Sequence, residues 1–173
     1  NFDRRMFHFN FFKGNRYPYA THSSPNQEHD GLHIARAAQT LNPETLKTEL
    51  TEAGNPSLAL ESLSRMQGFD TSESHTAYVD ARNSLMVLRI IRDKHKENWE
   101  KFLKTSTKAS VESLLTNDDI YSIFENVKGR NMMYLACTLH PKHSYHPSYA
   151  SWGYLWDLRR DPEPLLNLSV SQL

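Results

Sequence analysis

The apolar residues of this chain are spaced as in helices in its first part and as in strands in its last part. Up to about residue 104, apolar side chains recur every three or four positions, which is typical of amphipathic helices. The later segments "RNMMYLACTLHP" and "SYASWGYLWDLRR" are typical of strands, joined by a loop rich in proline, histidine and serine. We therefore predict two domains, a helical first part over residues 1–108 and a β-rich second part over residues 109–173.

Three segments of the first part carry helix signals before residue 70. Residues 1–13 have apolar side chains at helical spacing, and we expect their aromatic residues to be core. In "DGLHIARAAQTL", Asp30 is expected near the N-cap. In "GNPSLALESLSRMQG", we expect Ser57 to cap the start and Gly68 to end the helix. The aromatic residues expected in the core are Phe7, Phe9, Phe11 and Phe12.

Residues 75–92 are predicted to form the third major helix, and a charged segment, "DKHKENWEKFLKTS", extends or follows it. The spacing places four apolar residues inward. These are Ala77, Val87, Leu88 and Ile91.

The charge balance narrows the class of partner. The chain has 20 Lys and Arg residues and 20 Asp and Glu residues, so its formal net charge is zero. This balance excludes a uniformly basic coat for nucleic acid, but it leaves room for a local basic groove, because steering depends on where the charges lie.

Cysteine usage and hydropathy bear on the compartment. Cys137 is the single cysteine, which excludes an intrachain disulfide framework and a cysteine-rich zinc site. A reducing compartment fits, and we expect a cytoplasmic protein. No apolar run approaches the ~18 residues of a membrane span, and no signal peptide is recognised. The chain does not begin with Met, and we expect that its start is missing.

The start of the third helix carries a histidine and an aspartate, in "HTAYVDA". His75 and Asp80 are about 140° apart on an ideal helix, yet a histidine ahead of the first turn can swing toward a point that the aspartate also reaches. A carboxylate can hold Mg²⁺ and an imidazole can remove a proton from water, as a metal-assisted hydrolase requires. Asp3, at the start of another apolar helix, is the candidate second carboxylate. Alternatively, Asp80 serves only the helix dipole.

These motifs resemble those of a known family. "HTAYVDA" looks like the His-x-Ala-x-x-Asp signature of the DEDD-type 3′→5′ exonucleases, whose fold is RNase H-like. "NFDRRMFHFNFF" resembles their second motif, and "DGLHIARAAQTLNPE" and "GNPSLALESLSRMQG" resemble the segments between. The tail from Met132 onward resembles the start of the SH3-like extension of the bacterial exodeoxyribonuclease I family. The resemblance covers nearly the whole chain in the correct order.

The resemblance implies an activity and its site. The fold would be α/β, a partial RNase H-like domain followed by the beginning of an SH3-like domain. Asp3 and Asp80 would bind metal and His75 would be the general base, with two Mg²⁺ ions about 3.5–4 Å apart at the scissile phosphate. The family's first motif, Asp-x-Glu, has no counterpart here and would lie upstream of Asn1, so this chain holds two of four metal carboxylates. Single-stranded DNA and the tail of a single-strand-binding protein are the implied partners, and we expect a monomer.

Two further clusters have open interpretations. A basic run with an interleaved aromatic residue could contact single-stranded DNA, or it could be a solvated helix face balanced by Glu97 and Glu100. The candidate contacts are Arg89, Arg92, Lys94, Lys96, Lys101 and Trp99. Three histidines in "HPKHSYHP" could bind zinc, but this segment is more simply a loop.

Two functions of different classes remain. The chain belongs either to a Mg²⁺-dependent exonuclease acting on single-stranded DNA, or to a catalytically incomplete module that binds such DNA or a single-strand-binding protein.

Overall fold

A computed structural model of the chain describes residues 2–169, except residues 22, 24, 106, 118–119, 139–144 and 147–148. Within this range, only the backbone is described for residues 2, 3, 117, 145–146, 149–153 and 165–166. The helices in this part of the chain are α1 Phe2–Lys13, α2 Gly31–Leu41, α3 Leu60–Met66, α4 Ala77–Lys94, α5 Lys96–Leu103, α6 Lys108–Asn117 and α7 Glu163–Leu166. The strands are β1 Ile120–Val127, β2 Arg130–Thr138, β3 Tyr145–His146, β4 Tyr149–Gly153 and β5 Leu155–Asp157.

Helix α4 is the centre of the helical part and packs against α2, α3 and α5. Its buried side chains recur every fourth residue, which places them on one stripe of the helix. Two of them, Val87 and Ile91, contribute to a core that also includes Ala38 of α2 and Leu63 of α3. The buried stripe consists of Val79, Asn83, Val87 and Ile91.

Ile91 is fully buried in this core. We expect Ile91→Ala to lower the free energy of unfolding by about 2–5 kcal/mol, because the substitution removes buried apolar atoms and leaves a cavity in their place. Urea denaturation measures the change. Leu85, on the same helix and 50% exposed, provides the control, and Leu85→Ala should cost much less. Equal losses for the two variants would show that Ile91 is not a core residue.

The sheet of the second part is joined to the helices through α2. Strands β1, β2 and β5 form an antiparallel sheet in the order β1-β2-β5. The two-residue turn between β1 and β2 is left-handed at Lys128 and Gly129, with φ of 50° and 83°, which suits a tight hairpin. Helix α2 contacts β1 and β2, and the Arg36 guanidinium donates a hydrogen bond to the Asn131 side chain (3.2 Å).

The predicted helices are present with nearly the predicted bounds. Asp30 is confirmed as the N-cap of α2, since its side chain accepts a hydrogen bond from the Leu32 N–H (2.9 Å). Gly68 is confirmed as the residue that ends α3, with φ of +78° after the C-cap Gln67. The mixed α/β content expected from the sequence is confirmed.

Two details of the helix predictions are wrong. Helix α3 begins at Leu60 with Ala59 as its N-cap, not with Ser57. The Ser57 N–H donates to the Glu49 carbonyl (2.8 Å) and Leu50 pairs with Pro56, so this segment is extended and cannot start the helix. Ala77 is exposed, because the buried stripe of α4 runs through Val79.

The predicted burial of the α1 aromatic residues is also wrong for three of the four. Phe7, Phe9 and Phe12 are 52%, 53% and 72% exposed, and Phe11 is half-buried. The aromatic side chains are spread around the helix instead of forming one stripe, so a single packing face cannot cover them. The loop that follows α1 covers one side, where the His8 and Tyr19 rings meet edge to face at 5.1 Å.

The second part contains four elements that the sequence analysis did not predict, α6, β1, β3 and α7, as well as the predicted β2. The proposed domain boundary after residue 108 stays a prediction. Of the helices described, none has the length and apolar character needed to cross a membrane.

Candidate active site at the start of helix α4

Asp80 and His75 are in contact through the backbone. Thr76 is the N-cap of α4 with extended dihedral angles, and Asp80 lies in the first turn. Its Oδ1 accepts a hydrogen bond from the His75 N–H (3.2 Å). The carboxylate therefore satisfies a donor ahead of the helix and lies near the positive end of the helix dipole. This helix-start role and a metal-binding role are compatible.

The His75 ring is exposed and meets α3. Its side chain is 85% exposed, and Nε2 lies 3.5 Å from Glu61 Oε2. The backbone φ of +73° is left-handed, a conformation that few non-glycine residues adopt and that often marks functional positions. A contact of this length between exposed side chains restrains the ring weakly. The ring can therefore reach a substrate while the backbone is tied to Asp80.

Glu61 connects His75 to a charged network on α3. The Arg65 Nη1 lies 3.6 Å from the Glu61 Oε1, and the same guanidinium donates two hydrogen bonds of 2.9 Å to Glu49. These bonds from Arg65, with one from Ser62, lower the pKa of Glu49. The sequence analysis missed Glu61, since it lies on a different helix and only the packing of α3 on α4 brings it near His75.

The segment that carries His75, residues 69–76, is called here the histidine loop. Its start is tied to α4, because the side-chain amide of Asn83 donates to the Asp70 carbonyl (3.1 Å), as does Arg82 (3.3 Å). The Asp70 carboxylate accepts bonds from the Ser72 N–H and hydroxyl (2.9 and 2.7 Å), and these lower its pKa. The loop is therefore fixed at both of its ends.

Asp3 lies in the first turn of α1, but its side chain is outside the described part. That Asp3 and Asp80 share one metal site stays a prediction. Among the side chains that are described, no group of three or more histidine, cysteine, aspartate or glutamate residues is placed to hold a metal. The histidines of "HPKHSYHP" fall outside those side chains.

The donor chemistry of Asp80 fits Mg²⁺. This ion is commonly held by one or two carboxylates together with substrate phosphates and waters. Asp80 supplies a half-buried carboxylate of which Oδ1 accepts one backbone N–H, and such a group retains capacity for a cation.

The six predicted DNA contacts have different environments. Arg89, Lys96 and Lys101 are exposed, and Arg92 is exposed but paired with Asp93 (2.9 Å). The other two candidates have structural contacts. The Lys94 ammonium donates to the carbonyls of Glu44 and Thr45 (2.9 and 2.8 Å), and Trp99 packs against the core. DNA contact by all six stays a prediction, and the contacts of Lys94 and Trp99 favour a structural role.

A depression of about 260 Å³ lies at the junction of α4 and α5, lined by residues 93–98. His95, between the two helices, is buried, and its Nε2 is 2.6 Å from the Thr45 hydroxyl. This contact ties the junction to the segment after α2, so we assign His95 a structural role.

No protein-family model matches the chain, but the chain is similar to a class of proteins, the bacterial exonucleases. The chain is similar to Exodeoxyribonuclease I of Haemophilus influenzae, with 24% identity over 174 residues, which is 99% of this chain and 37% of the relative. It is also similar to Exodeoxyribonuclease I of Buchnera aphidicola, with 26% identity over 171 residues, covering 96% of this chain and 34% of the relative.

Solved structures show the same likeness in fold. E. coli Exonuclease I in complex with a dA16 oligonucleotide matches with a TM-score of 0.71 and 21% identity, over 98% of this chain and 36% of that one. The moderately thermophilic Exonuclease I from Methylocaldum szegediense matches with a TM-score of 0.69 and 21% identity, over the same shares. An ExoI/SSB-Ct complex matches with a TM-score of 0.67 and 20% identity, again over 98% and 36%.

These matches confirm the resemblance to exodeoxyribonuclease I that the motifs indicated. The chain spans about a third of the length of the curated relatives it matches.

Proposed function

We propose that this chain carries part of the active site of a 3′→5′ exonuclease that degrades single-stranded DNA. The observation that carries the proposal is the arrangement at the start of α4. The backbone N–H of His75 donates to the first-turn carboxylate of Asp80, while the His75 ring is exposed. The chain that carries this arrangement is similar over nearly its whole length to exodeoxyribonuclease I. Histidine is the most common general base in enzymes, because the ordinary pKa of an imidazole lies near neutral pH.

Each residue has a distinct role in this proposal. Asp80, together with Asp3, would hold Mg²⁺, which when bound offsets charge on the scissile phosphate and lowers the pKa of water. His75 accepts the proton of the attacking water through its exposed ring. Asp80 also fixes the His75 backbone. Arg89, Lys96 and Lys101 are exposed and would contact the phosphates of the strand.

The partners are proposed from the relatives. Structures similar to this chain contain E. coli Exonuclease I with a dA16 oligonucleotide, and ExoI with SSB-Ct. We extend both to this chain, as single-stranded DNA substrate and as a single-strand-binding protein tail. The β-rich second part would be the beginning of an SH3-like domain. Its β1-β2-β5 sheet packs against α2.

A second candidate is a binding module without catalysis. The exposed basic side chains of Arg89, Lys96 and Lys101 fit such a module, because phosphate contacts alone supply binding to nucleic acid. Such a module would bind single-stranded DNA or the tail of a single-strand-binding protein and leave the DNA intact.

Incubation of a protein that also carries the Asp-x-Glu motif with single-stranded oligonucleotides labelled at either end separates the two candidates. With Mg²⁺, an exonuclease of the proposed direction releases a 3′ label as mononucleotide and shortens a 5′-labelled strand stepwise. We expect EDTA to stop both reactions, because the carboxylates cannot replace the charge of the ion. Binding without shortening, in the presence of Mg²⁺, would favour the module. Shortening from the 5′ end would contradict the proposed direction.

A further inference from the structure

A polar residue interrupts the buried stripe of α4. Asn83 is 2% exposed and lies between the apolar Val79 and Val87. An amide in such a place destabilises the fold unless its hydrogen bonds are made. Its Nδ2 donates to the Asp70 carbonyl (3.1 Å), and its Oδ1 accepts a bond from Arg82 (3.3 Å). The buried amide is therefore committed to the backbone of the histidine loop.

Helix α4 holds the histidine loop at two points. Asn83 binds the carbonyl of Asp70 near the loop's start, and Asp80 binds the N–H of His75 near its end. Asn83 and Asp80 are three residues apart on one helix, so they project from nearly the same side. The left-handed backbone of His75 is an uncommon conformation that persists only where its surroundings fix it.

We propose that Asn83 is a positioning residue that sets the place of the His75 ring relative to Asp80. It acts through the histidine loop and does not touch the substrate. The proposal rests on the proposed function, in which His75 is the general base. Without the Asn83 bond, the start of the loop is held by the more exposed Arg82, and the ring samples positions away from the reacting water.

The test compares Asn83→Asp with a matched buried amide. Aspartate has the shape of asparagine but places an acceptor opposite the Asp70 carbonyl. Gln39 is 4% exposed and likewise anchors a loop, through the carbonyls of Pro43 and Leu46. Gln39→Leu should therefore lower the melting temperature without affecting the histidine loop. Both changes are made in a protein that also carries the Asp-x-Glu motif.

We expect Asn83→Asp to lower kcat by about 10-fold to 10²-fold with KM within about twofold of the parent, since small misplacements of a catalytic group have effects of this size. Hydrogen exchange of residues 69–76 should become faster. Gln39→Leu should leave kcat and the exchange of these residues unchanged. Arg82→Ala, which removes the other donor without altering the core, should give a smaller loss of kcat in the same direction and provides the test if Asn83→Asp does not fold.

Unchanged exchange in residues 69–76 of Asn83→Asp would overturn the anchoring role, and faster exchange with unchanged kcat would overturn the positioning role. An equal fall in kcat for Gln39→Leu would show a general effect of stability and would also overturn it. The proposed function fails separately, if His75→Asn degrades DNA as fast as the parent. Positioning of a general base is then overturned as well, while the exchange data still report whether Asn83 holds the loop.

Discussion

Asp80→Asn is expected to lower DNA degradation by about 10³-fold or more, in a protein that also carries the Asp-x-Glu motif, because it removes a charged ligand worth several kcal/mol of stabilisation to the transition state. The asparagine Oδ1 can still accept the His75 N–H that Asp80 binds at 3.2 Å. The substitution therefore removes the charge and keeps the local backbone contact. Mg²⁺ binding should weaken in parallel, measured by calorimetry beside single-turnover digestion.

Asp30→Asn is the matched control. Asp30 also accepts a backbone N–H at the start of a helix, from Leu32 at 2.9 Å, and asparagine is as good an N-cap. This variant should retain the activity and the Mg²⁺ affinity of the parent. If Asp80→Asn retains both as well, Asp80 serves the helix start alone, and the metal assignment is wrong.

In the same protein with the Asp-x-Glu motif, removal of the His75 ring is expected to lower turnover by about 10²–10⁴-fold, the usual contribution of general acid–base catalysis. We expect this for both His75→Ala and His75→Asn. His75→Asn is the more informative of the two, because asparagine readily adopts the left-handed backbone of residue 75 (φ of +73°), so the substitution removes the ring and keeps the backbone conformation. The ring is 85% exposed, so its loss leaves no cavity, and the melting temperature should change little. Affinity for DNA should also persist, because it comes mainly from phosphate contacts.

Single-turnover digestion of a 3′-labelled oligonucleotide, with a binding assay at the same salt concentration, measures the two effects. His33 is an exposed histidine on α2, and His33→Asn should behave as the parent. Digestion by His75→Asn at the parental rate, with chemistry shown to limit that rate, would reduce His75 to a residue at the start of a helix.

Local signals predicted most of the helices. Asp30 and Gly68 mark helix ends because capping depends on one side chain or one backbone conformation, both of which a short sequence specifies. A similar signal at α6 was overlooked. Thr107 and Ser110 exchange side-chain to backbone hydrogen bonds of 3.1 and 3.2 Å, a variant of the capping box.

A sequence pattern can also mislead when contacts with residues far away in the chain outweigh the local preference. Ser57 has the side chain of an N-cap, but its backbone N–H pairs with Glu49 and the segment stays extended. For Lys94 and Trp99, whose contact with DNA stays a prediction, the structure adds contacts within the fold: Lys94 binds carbonyls of the segment after α2, and Trp99 packs on the core. Sequence spacing cannot reveal these contacts, since each joins residues far apart along the chain.

The candidate site shows the same division. The amino-acid pattern was enough to place His75 and Asp80 at the start of one helix, because a histidine, a short spacer and the apolar periodicity of α4 are local properties. Three contacts became visible in the folded chain alone: Asp80 binds the His75 backbone, Glu61 meets the ring, and Asn83 holds the loop. These contacts depend on how α3 and the histidine loop pack on α4, and such packing is set by side chains that meet only after the chain has folded.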